Sequence, residues 1–472
     1  MLGTIIRKEM LDTMTSPKFV FTFLLCMILI LLSVYTGINN YREEMREYSA
    51  AVAMNQSNLE SQPSFGALAG LGTKITKPPE VLGTLIVGIQ EAVGRSAKVN
   101  VAYDPSLEDS KYNSNPVFAV FGELDLTLIV KIVLSLFAIL FTYDAIVGEK
   151  ERGTLKLMLA NKVPRDKLIL GKAIGSFVSL LLPLLIPLLL GVLMLVAYPD
   201  ISLGREEWLR VGLIFLLFLC YLSAFFTLGL FVSTRTNRAS SSLLILLFLW
   251  VTCVTIIPRV AVMTAGRMER IPSMHEITAQ KDAFLQEIQG AAPTMLLEWR
   301  EKNPPPKGKG AKERMPEWQA KYKQFLEDIQ QDLTTQIDTK NAEIEESYQA
   351  KRRSQQALAT NLSRISPASA LMFGTMSLGR TGIQEHERFQ NSVKSYKPVF
   401  TKWVNAKMMR NIDMQTGKQS KPELGDMPMH AFQSESLQES LSRALPDFII
   451  LLMLVIVFFT GAFVSFLKYD VR

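Results

Sequence analysis

The sequence predicts an all-α polytopic membrane protein with six transmembrane helices, an N-terminal interfacial helix and two extracytoplasmic regions, the larger mainly helical. Six apolar blocks, nearly free of charge, each approach the ~20 residues that cross a bilayer. Of the 472 residues 48% are hydrophobic, too many for an ordinary soluble chain. A further 20% are charged, too many for a chain made only of membrane helices, so long polar regions must lie between the spans.

The apolar blocks define the order of the predicted segments. The predicted spans are residues 19–36, 124–147, 173–198, 209–233, 241–262 and 446–467. The segments outside the spans are a cytosolic interfacial helix (1–18), extracytoplasmic region 1 (37–123), a cytosolic helix and loop (148–172), extracytoplasmic region 2 (263–445) and a cytosolic tail (468–472). The first apolar block is longer than the ~7–15 residues of a signal-peptide core, and no small-residue cleavage site follows it at once. It is therefore expected to be a retained anchor.

Short loops set the predicted orientation, because lysine and arginine accumulate on the cytosolic side. With the N-terminus inside, the basic residues of the short cytosolic segments are Arg7, Lys8, Lys18, Lys150, Arg152, Lys156, Lys162, Arg165, Lys167, Lys172, Arg235, Arg238, Lys468 and Arg472. The short loop on the opposite side, 199–208, carries Arg205 alone. Both termini are therefore expected in the cytosol, with the chain integral to the plasma membrane, the inner membrane of a bacterium.

The N-terminal 18 residues combine apolar and charged side chains at helical spacing. Such a helix lies in the membrane interface until Pro17 turns the chain into the first span. A frayed polar tail is the alternative, but the regular spacing favours the helix.

The two extracytoplasmic regions differ in pattern. Region 1 opens with a helical stretch, and its middle is rich in glycine and proline, which indicates turns. In region 2, residues 317–362 contain no glycine or proline. That length exceeds the ~25 residues above which a coiled coil or an extended helical hairpin is suspected. The preceding Pro/Gly/Lys-rich stretch, 304–315, is typical of a solvated linker, and a dedicated phosphate or lipid site is the alternative.

Several kinds of chemistry find no support in the sequence. No phosphate-binding loop of the GxxxxGK[ST] form occurs. Three histidines are far apart and do not have the spacing of metal ligands, so no metal site is expected: His275, His386 and His430. Neither a GxSxG nor an HExxH motif occurs, so catalysis is not expected. The sequence contains no basic patch interleaved with aromatic residues, so nucleic-acid binding is not indicated. The three cysteines lie in apolar blocks and are expected to pack between helices: Cys26, Cys220 and Cys253.

Three charged residues lie in or beside the second span, namely Asp125, Lys131 and Asp144. A lysine within a span costs a few kcal/mol unless it reaches the headgroups or a partner. Lys131 therefore either snorkels or pairs with Asp125, or it lines a translocation path. Pro183 and Pro187 in the third span predict a kink, which is either a gating hinge or a packing feature.

The charged stretch between the second and third spans carries a family resemblance. Residues 149–155 read EKERGTL, followed by Leu159 and then by Pro164 and Arg165. This pattern, after the second of six spans, resembles that of ABC-2 type permeases. The stretch 366–389, SPASALMFGTMSLGRTGIQEHERF, is similar to a subset of these permeases with a large extracytoplasmic domain between helices 5 and 6.

The resemblance implies a half-transporter that pairs with a second permease, identical or paralogous, and with separate ABC ATPase subunits. This chain would bind no cofactor and would not be an enzyme, since ATP and Mg belong to the partner ATPase. The residues that the resemblance assigns to ATPase coupling are Glu149, Glu151, Gly153, Thr154, Leu155, Leu159, Pro164 and Arg165. A helix on the membrane lipids without a protein partner is the alternative for this segment.

Two functions remain open from the sequence. The first is export or extrusion of a substrate that is hydrophobic, lipid or peptide-like, since leucine, isoleucine and phenylalanine dominate the spans. The second is ATP-driven mechanotransmission, in which the long external helices act on an external protein partner without transporting a substrate. An ion-coupled carrier is disfavoured, because the spans lack carboxylate and histidine relays.

Overall fold

The computed structural model describes residues 2–90, 92–103, 105–108, 124–160, 164–307, 311–410 and 421–469. Within these ranges the chain is predominantly helical, which confirms the predicted all-α fold. The helices are α1 (Leu2–Met14), α2 (Pro17–Glu60), α3 (Phe65–Leu71), α4 (Leu126–Glu151), α5 (Thr154–Ala160), α6 (Arg165–Val196), α7 (Arg205–Arg235), α8 (Ala239–Met268), α9 (Met274–Lys302), α10 (Ala311–Ser363), α11 (Pro367–Gly379), α12 (Ile383–Arg410) and α13 (Leu437–Leu467).

Six of these helices are long and apolar enough to cross a membrane, as predicted: α2, α4, α6, α7, α8 and α13. Ser16 caps α2 by accepting a hydrogen bond from the Phe19 N–H, and Pro17 takes the first helical position, where its missing N–H costs little. At the helical rise of about 1.5 Å per residue, the 44 residues of α2 extend about 66 Å. The hydrocarbon core of a bilayer is about 30 Å thick, so α2 continues well beyond the predicted first span.

The chain divides into two compact units, one of Met1–Pro258 with Arg364–Arg472 and one of Arg259–Ser363. In the first unit, α7 lies at the centre of the core and packs on α4, α11 and α13. Tyr221 and Phe225 on α7 are almost fully buried and contact each other edge to face. Gly229 on α7 allows a close approach to α4, because a Cβ at this position would overlap Thr142 Oγ1.

Helix α11 is an additional core element that sequence patterning did not separate from region 2. Ser366 caps it by accepting from the N–H groups of Ala368 and Ser369. Most of its residues are buried, because alanine, serine, glycine and threonine let it approach α7 and α13 closely. A Cβ at Gly374 would lie 2.6 Å from Leu217 Cδ2. The helix ends at Arg380, whose φ of 58° is left-handed.

The first predicted extracytoplasmic region contains a three-stranded antiparallel sheet, β1 (Thr73–Thr76), β2 (Ser96–Val99) and β3 (Ser106–Glu108), in that order. It shares a hydrophobic cluster with α3 and α12. The glycine and proline content predicts turns here, whereas the structure has strands, which are too short to show a period in the sequence. Strand β1 finds its hydrogen-bond partners in β2, more than twenty residues further along the chain on average. Residues 109–123 of this predicted region and 411–420 of the second lie outside the described ranges.

The second unit is a helical hairpin in which α9 and α10 run antiparallel. Lys281 pairs with Glu345, and near the loop Trp299 stacks on Phe325 at a centroid distance of 4.9 Å. The 53 residues of α10 extend about 80 Å at the rise of about 1.5 Å per residue. The helix begins at Ala311 and contains Pro316, whereas the sequence predicts a linker as far as 315. Residues 308–310 of that linker lie outside the described ranges.

Candidate functional site

The segment predicted to couple to an ATPase forms an elbow between α4 and α6, and residues 147–160 are called the elbow segment here. It contains the last turn of α4, a bend at Gly153 and the helix α5. Gly153 has φ +71°, and a Cβ at this position would meet nothing within 4 Å. The backbone conformation, and not a close approach, therefore calls for glycine here. Residues 161–163, including the predicted basic residue Lys162, lie outside the described ranges.

The underside of the elbow segment is apolar and buried. Leu155 is fully buried in a small cluster whose other members are Ile146, Leu168, Ile169 and Phe466. The predicted coupling residue Leu155 therefore fixes the segment to the ends of α6 and α13. Leu157, on the opposite side of α5, is 66% exposed, and Thr154 beside the bend is exposed as well. The side chain of the predicted residue Leu159 lies outside the described ranges.

Lys172 on α6 joins the elbow segment to α1. Its Nζ lies 2.6 Å from Glu149 Oε1 in the elbow and 2.8 Å from Glu9 Oε1 in α1. Lys172 is 3% exposed, so this ion triad is shielded from water. A buried ammonium needs such partners, since an unpaired one costs several kcal/mol.

Polar contacts also attach the elbow segment to α7 and α8. Lys150 Nζ donates to the carbonyl oxygens of Thr234 and Thr236, where α7 ends. Ser233 Oγ accepts from the backbone N–H groups of residues 146 and 147, where the helix resumes after a turn at residues 143–146. Glu151 Oε1 accepts from the Ala239 N–H at 3.1 Å and so occupies the start of α8. These contacts satisfy helix-terminal groups that lack partners within their own helices.

The two remaining predicted coupling residues lie where α6 begins. Pro164 immediately precedes the first helical residue of α6, and its φ of −58° and ψ of 131° are non-helical. Arg165 Nη1 donates to the Leu467 carbonyl at 2.6 Å and to the Tyr469 carbonyl at 3.0 Å. A guanidinium suits this position because the last carbonyls of a helix are unpaired and carry partial negative charge. Arg165 thus links α6 to the end of α13.

Helix α1 packs against α6. A Cβ at Gly171 would lie 2.6 Å from Ile5 Cγ2, and one at Gly175 would lie 2.9 Å from the Ile6 carbonyl oxygen. The apolar side of α1 is expected from the sequence to be buried in the membrane interface. At Ile5 and Ile6 it contacts α6 instead. Arg7 is among the exposed residues of the opposite side.

The charged residues in or beside the second span do not form one cluster. Asp125 caps α4 by accepting from the Leu128 N–H at 2.7 Å. Lys131 Nζ lies 3.4 Å from Met372 Sδ on α11, and Asp144 pairs with Lys18 at 2.8 Å. Lys131 also sits in a π-helical turn, Ile129–Leu134, whose irregularity frees its carbonyl to accept from Tyr221 Oη.

The two predicted hinge prolines, Pro183 and Pro187, are buried within α6, which is helical on both sides of them. Their role as a hinge stays a prediction.

Two buried charged residues inside predicted spans were not among the predicted site residues. Arg210 on α7 is fully buried and donates to Leu378 O, Ser440 Oγ, Glu435 O and Glu206 Oε1, at 2.8–2.9 Å. Asp447 on α13 is fully buried and accepts from Arg364 Nε at 2.8 Å. The available signal was their charge: each interrupts a block that is otherwise nearly free of charge.

Arg380 extends the Arg210 network toward the first predicted extracytoplasmic region. Its guanidinium shares Glu206 with Arg210, at 2.7 Å, and also approaches Glu80 at 3.8 Å. Burial raises the pKa of the Glu80 carboxyl above its ordinary value of 4.5, although Lys77 and Arg380 favour the ionised form. Burial raises the pKa of Glu435 in the same way.

Among the residues that the structure describes, no three side chains of histidine, cysteine, aspartate or glutamate lie close enough together to hold a metal ion.

Comparison with known proteins agrees with this architecture. The family model described as "ABC-2 family transporter protein" matches residues 3–471. The chain is also 37% identical over 78 residues to "Probable ABC transporter permease protein NosY" of Pseudomonas aeruginosa. That match covers 16% of this chain and 28% of the relative's length. Because the family match covers nearly the whole chain, and six apolar helices can cross a membrane, this integral membrane protein belongs to the ABC-2 family of transporter proteins.

Proposed function

We propose that this chain is the membrane-spanning permease subunit of an ABC transporter and that the elbow segment is its contact with a separate ATPase subunit. The observation that carries this proposal is the two-sided character of the elbow segment. One side of the segment is held to α1, α6, α7, α8 and α13 by ion pairs, hydrogen bonds and apolar contacts. On the other side Leu157 is exposed, together with Arg152 and Lys156. An apolar anchor with a charged rim suits a protein groove.

The mechanism follows from these attachments. A force applied to the elbow segment reaches α6 through Lys172 and the buried Leu155, and it reaches α7 through Lys150. The same segment touches the start of α8 through Glu151. Nucleotide-driven movement of an ATPase would thus move the ends of several spans together, which is what alternating access requires. In this proposal the ATPase subunit holds ATP and Mg, and this chain holds no cofactor.

A second permease, identical or paralogous, completes the transporter in this proposal. Both termini lie in the cytosol and the chain resides in a bacterial inner membrane, as the basic short loops favour. The substrate is exported or extruded and is hydrophobic, lipid or peptide-like, which the apolar spans support.

The test replaces Leu157 by glutamate in the chain co-expressed with an ABC ATPase subunit that co-purifies with the wild-type chain. We expect Leu157→Glu to lose co-purification of the ATPase and permease-stimulated ATP hydrolysis, because a charge would be buried at the centre of the contact. Leu297→Glu is the matched control, since Leu297 is 60% exposed and lies far from the elbow in sequence, on α9. Retention of both properties by Leu157→Glu would refute the proposed contact.

The helix α10 supports a second function, mechanotransmission to an external protein partner. A continuous helix of 53 residues is stiff enough to carry displacement over tens of ångströms. Spin labels at Thr335→Cys in two copies of a variant without native cysteines would report this movement. Mechanotransmission predicts that ATP changes the distance between the labels. An unchanged distance would refute mechanotransmission through α10, and transport would then be the remaining function.

A further inference from the structure

We infer that Lys172 is a positioning residue that joins α1 and the elbow segment into one moving body. This inference rests on the proposed function of the elbow segment as the ATPase contact. Three observations carry it: the geometry of the ion triad, the close fit between α1 and α6, and the burial of the charges.

The triad is the direct link between elements distant in sequence. Lys172 Nζ contacts a carboxylate on each side, Glu9 at 2.8 Å and Glu149 at 2.6 Å. Charge-assisted hydrogen bonds of this length are about twice as strong as neutral ones. The lysine therefore holds the first helix of the chain and the end of α4 at a fixed distance from each other.

Burial makes the link hard to break. The side chains of Glu9 and Glu149 are 14% and 17% exposed, and that of Lys172 is 4% exposed. Glu149 Oε2 is buried and has no hydrogen-bond partner within the described ranges, so Lys172 is the counter-charge on which Glu149 depends. Without the lysine, two carboxylates would face each other in a site with little water, which is unfavourable.

The close contact between α1 and α6 determines how the movement is transmitted. Gly171 and Gly175 flank Lys172 and leave just enough room for the backbone and side chains of α1. Because α1 lies directly against the backbone of α6 at these two glycines, a displacement of Glu149 that Lys172 passes to Glu9 acts on a helix in close contact with α6. Helix α1 and the elbow segment thus move together and transmit the movement of the ATPase to α6.

Hydrogen–deuterium exchange of the purified full-length chain in lipid nanodiscs tests the link without any partner. We expect Lys172→Met to raise amide exchange about tenfold in both 2–14 and 147–158, on the scale of coupling between contacting residues. Lys172→Arg should restore slow exchange because it keeps the cation. Lys167→Met is the matched control, an exposed lysine on the same helix. Wild-type exchange in either segment of Lys172→Met would overturn the inference.

A second variant covers a failure of Lys172→Met to fold. Glu9→Gln removes one partner and keeps the Lys172–Glu149 pair, so exchange should rise in 2–14 and stay near wild type in 147–158. Unchanged exchange of 2–14 in Glu9→Gln would also overturn the inference.

The ATPase separates this inference from the proposed function. Lys172→Met should still bind the ATPase, because Leu157 is untouched, but its stimulation of ATP hydrolysis should fall about tenfold. Normal stimulation with Lys172→Met, together with loss of binding with Leu157→Glu, would refute the role of Lys172 alone. Normal behaviour of both variants would refute the proposed function itself.

Discussion

Replacement of Arg210 by methionine is the sharpest perturbation of the membrane core. The guanidinium is fully buried and connects α7 with the end of α11 and the start of α13. Methionine preserves much of the side-chain volume and can fill irregular space, so the change removes hydrogen bonds and charge with only a small cavity term.

The expected loss follows from the groups left behind. Leu378 O and Ser440 Oγ would each lose the donor at 2.9 Å, and a buried polar group without a partner costs about 1–3 kcal/mol. Glu435 O and Glu206 keep a bond to Arg380. Relief from burying the Arg210 charge offsets part of the loss. The expected decrease in the free energy of unfolding is therefore about 2–4 kcal/mol.

The assay is an unfolding titration with SDS in mixed micelles, compared with the wild-type chain. Arg205→Met is the control, because Arg205 begins the same helix and is exposed. Its expected effect is within about 0.5 kcal/mol. If Arg210→Met loses no more stability than Arg205→Met, the network does not stabilise the fold and the reasoning is refuted.

Two further predictions concern the bend and the buried carboxyl. Gly153→Val should weaken stimulation of the ATPase and cost about 1–2 kcal/mol of stability, because valine resists the φ of +71°. Gly153→Asn should be tolerated, since asparagine adopts this conformation and nothing lies within 4 Å of the added Cβ; equal loss by both variants would contradict the backbone argument. For Glu80 the folded pKa is raised, so the native state binds more protons than the unfolded state just above pH 4.5. The wild-type chain therefore loses stability as pH rises from 4.5 through the raised pKa, whereas Glu80→Gln does not. Thermal unfolding measured against pH should show Glu80→Gln gaining stability relative to wild type over this range; a relative decrease would refute the burial argument.

Much of the fold could be predicted because the local amino-acid composition is enough to identify a membrane span. A block of about 20 apolar residues has few stable solutions in a bilayer, since its backbone groups must bond within the helix. The long helix α10 was likewise visible as 46 residues without glycine or proline, from 317 to 362. Its start at Ala311 was not, because helix ends are set by a few weak contacts.

The small sheet and α11 were beyond local patterns. Strands β1 and β2 exist because Thr73–Thr76 finds its partners at Ser96–Val99, a pairing that no window of the sequence contains. Helix α11 reads as a polar-apolar mixture, and it becomes a core element only because α7 and α13 offer surfaces for its small residues.

The sequence by itself determined the six apolar helices, the family resemblance and the position of the elbow segment between the second and third spans. Only the tertiary structure decided how the elbow segment is held. It turned Leu155 inward and Leu157 outward, and it placed Lys172 between Glu9 and Glu149. The physical reason is range: hydrophobicity acts residue by residue along the chain, whereas the Glu9–Lys172 ion pair depends on two atoms that meet at 2.8 Å from positions 163 residues apart.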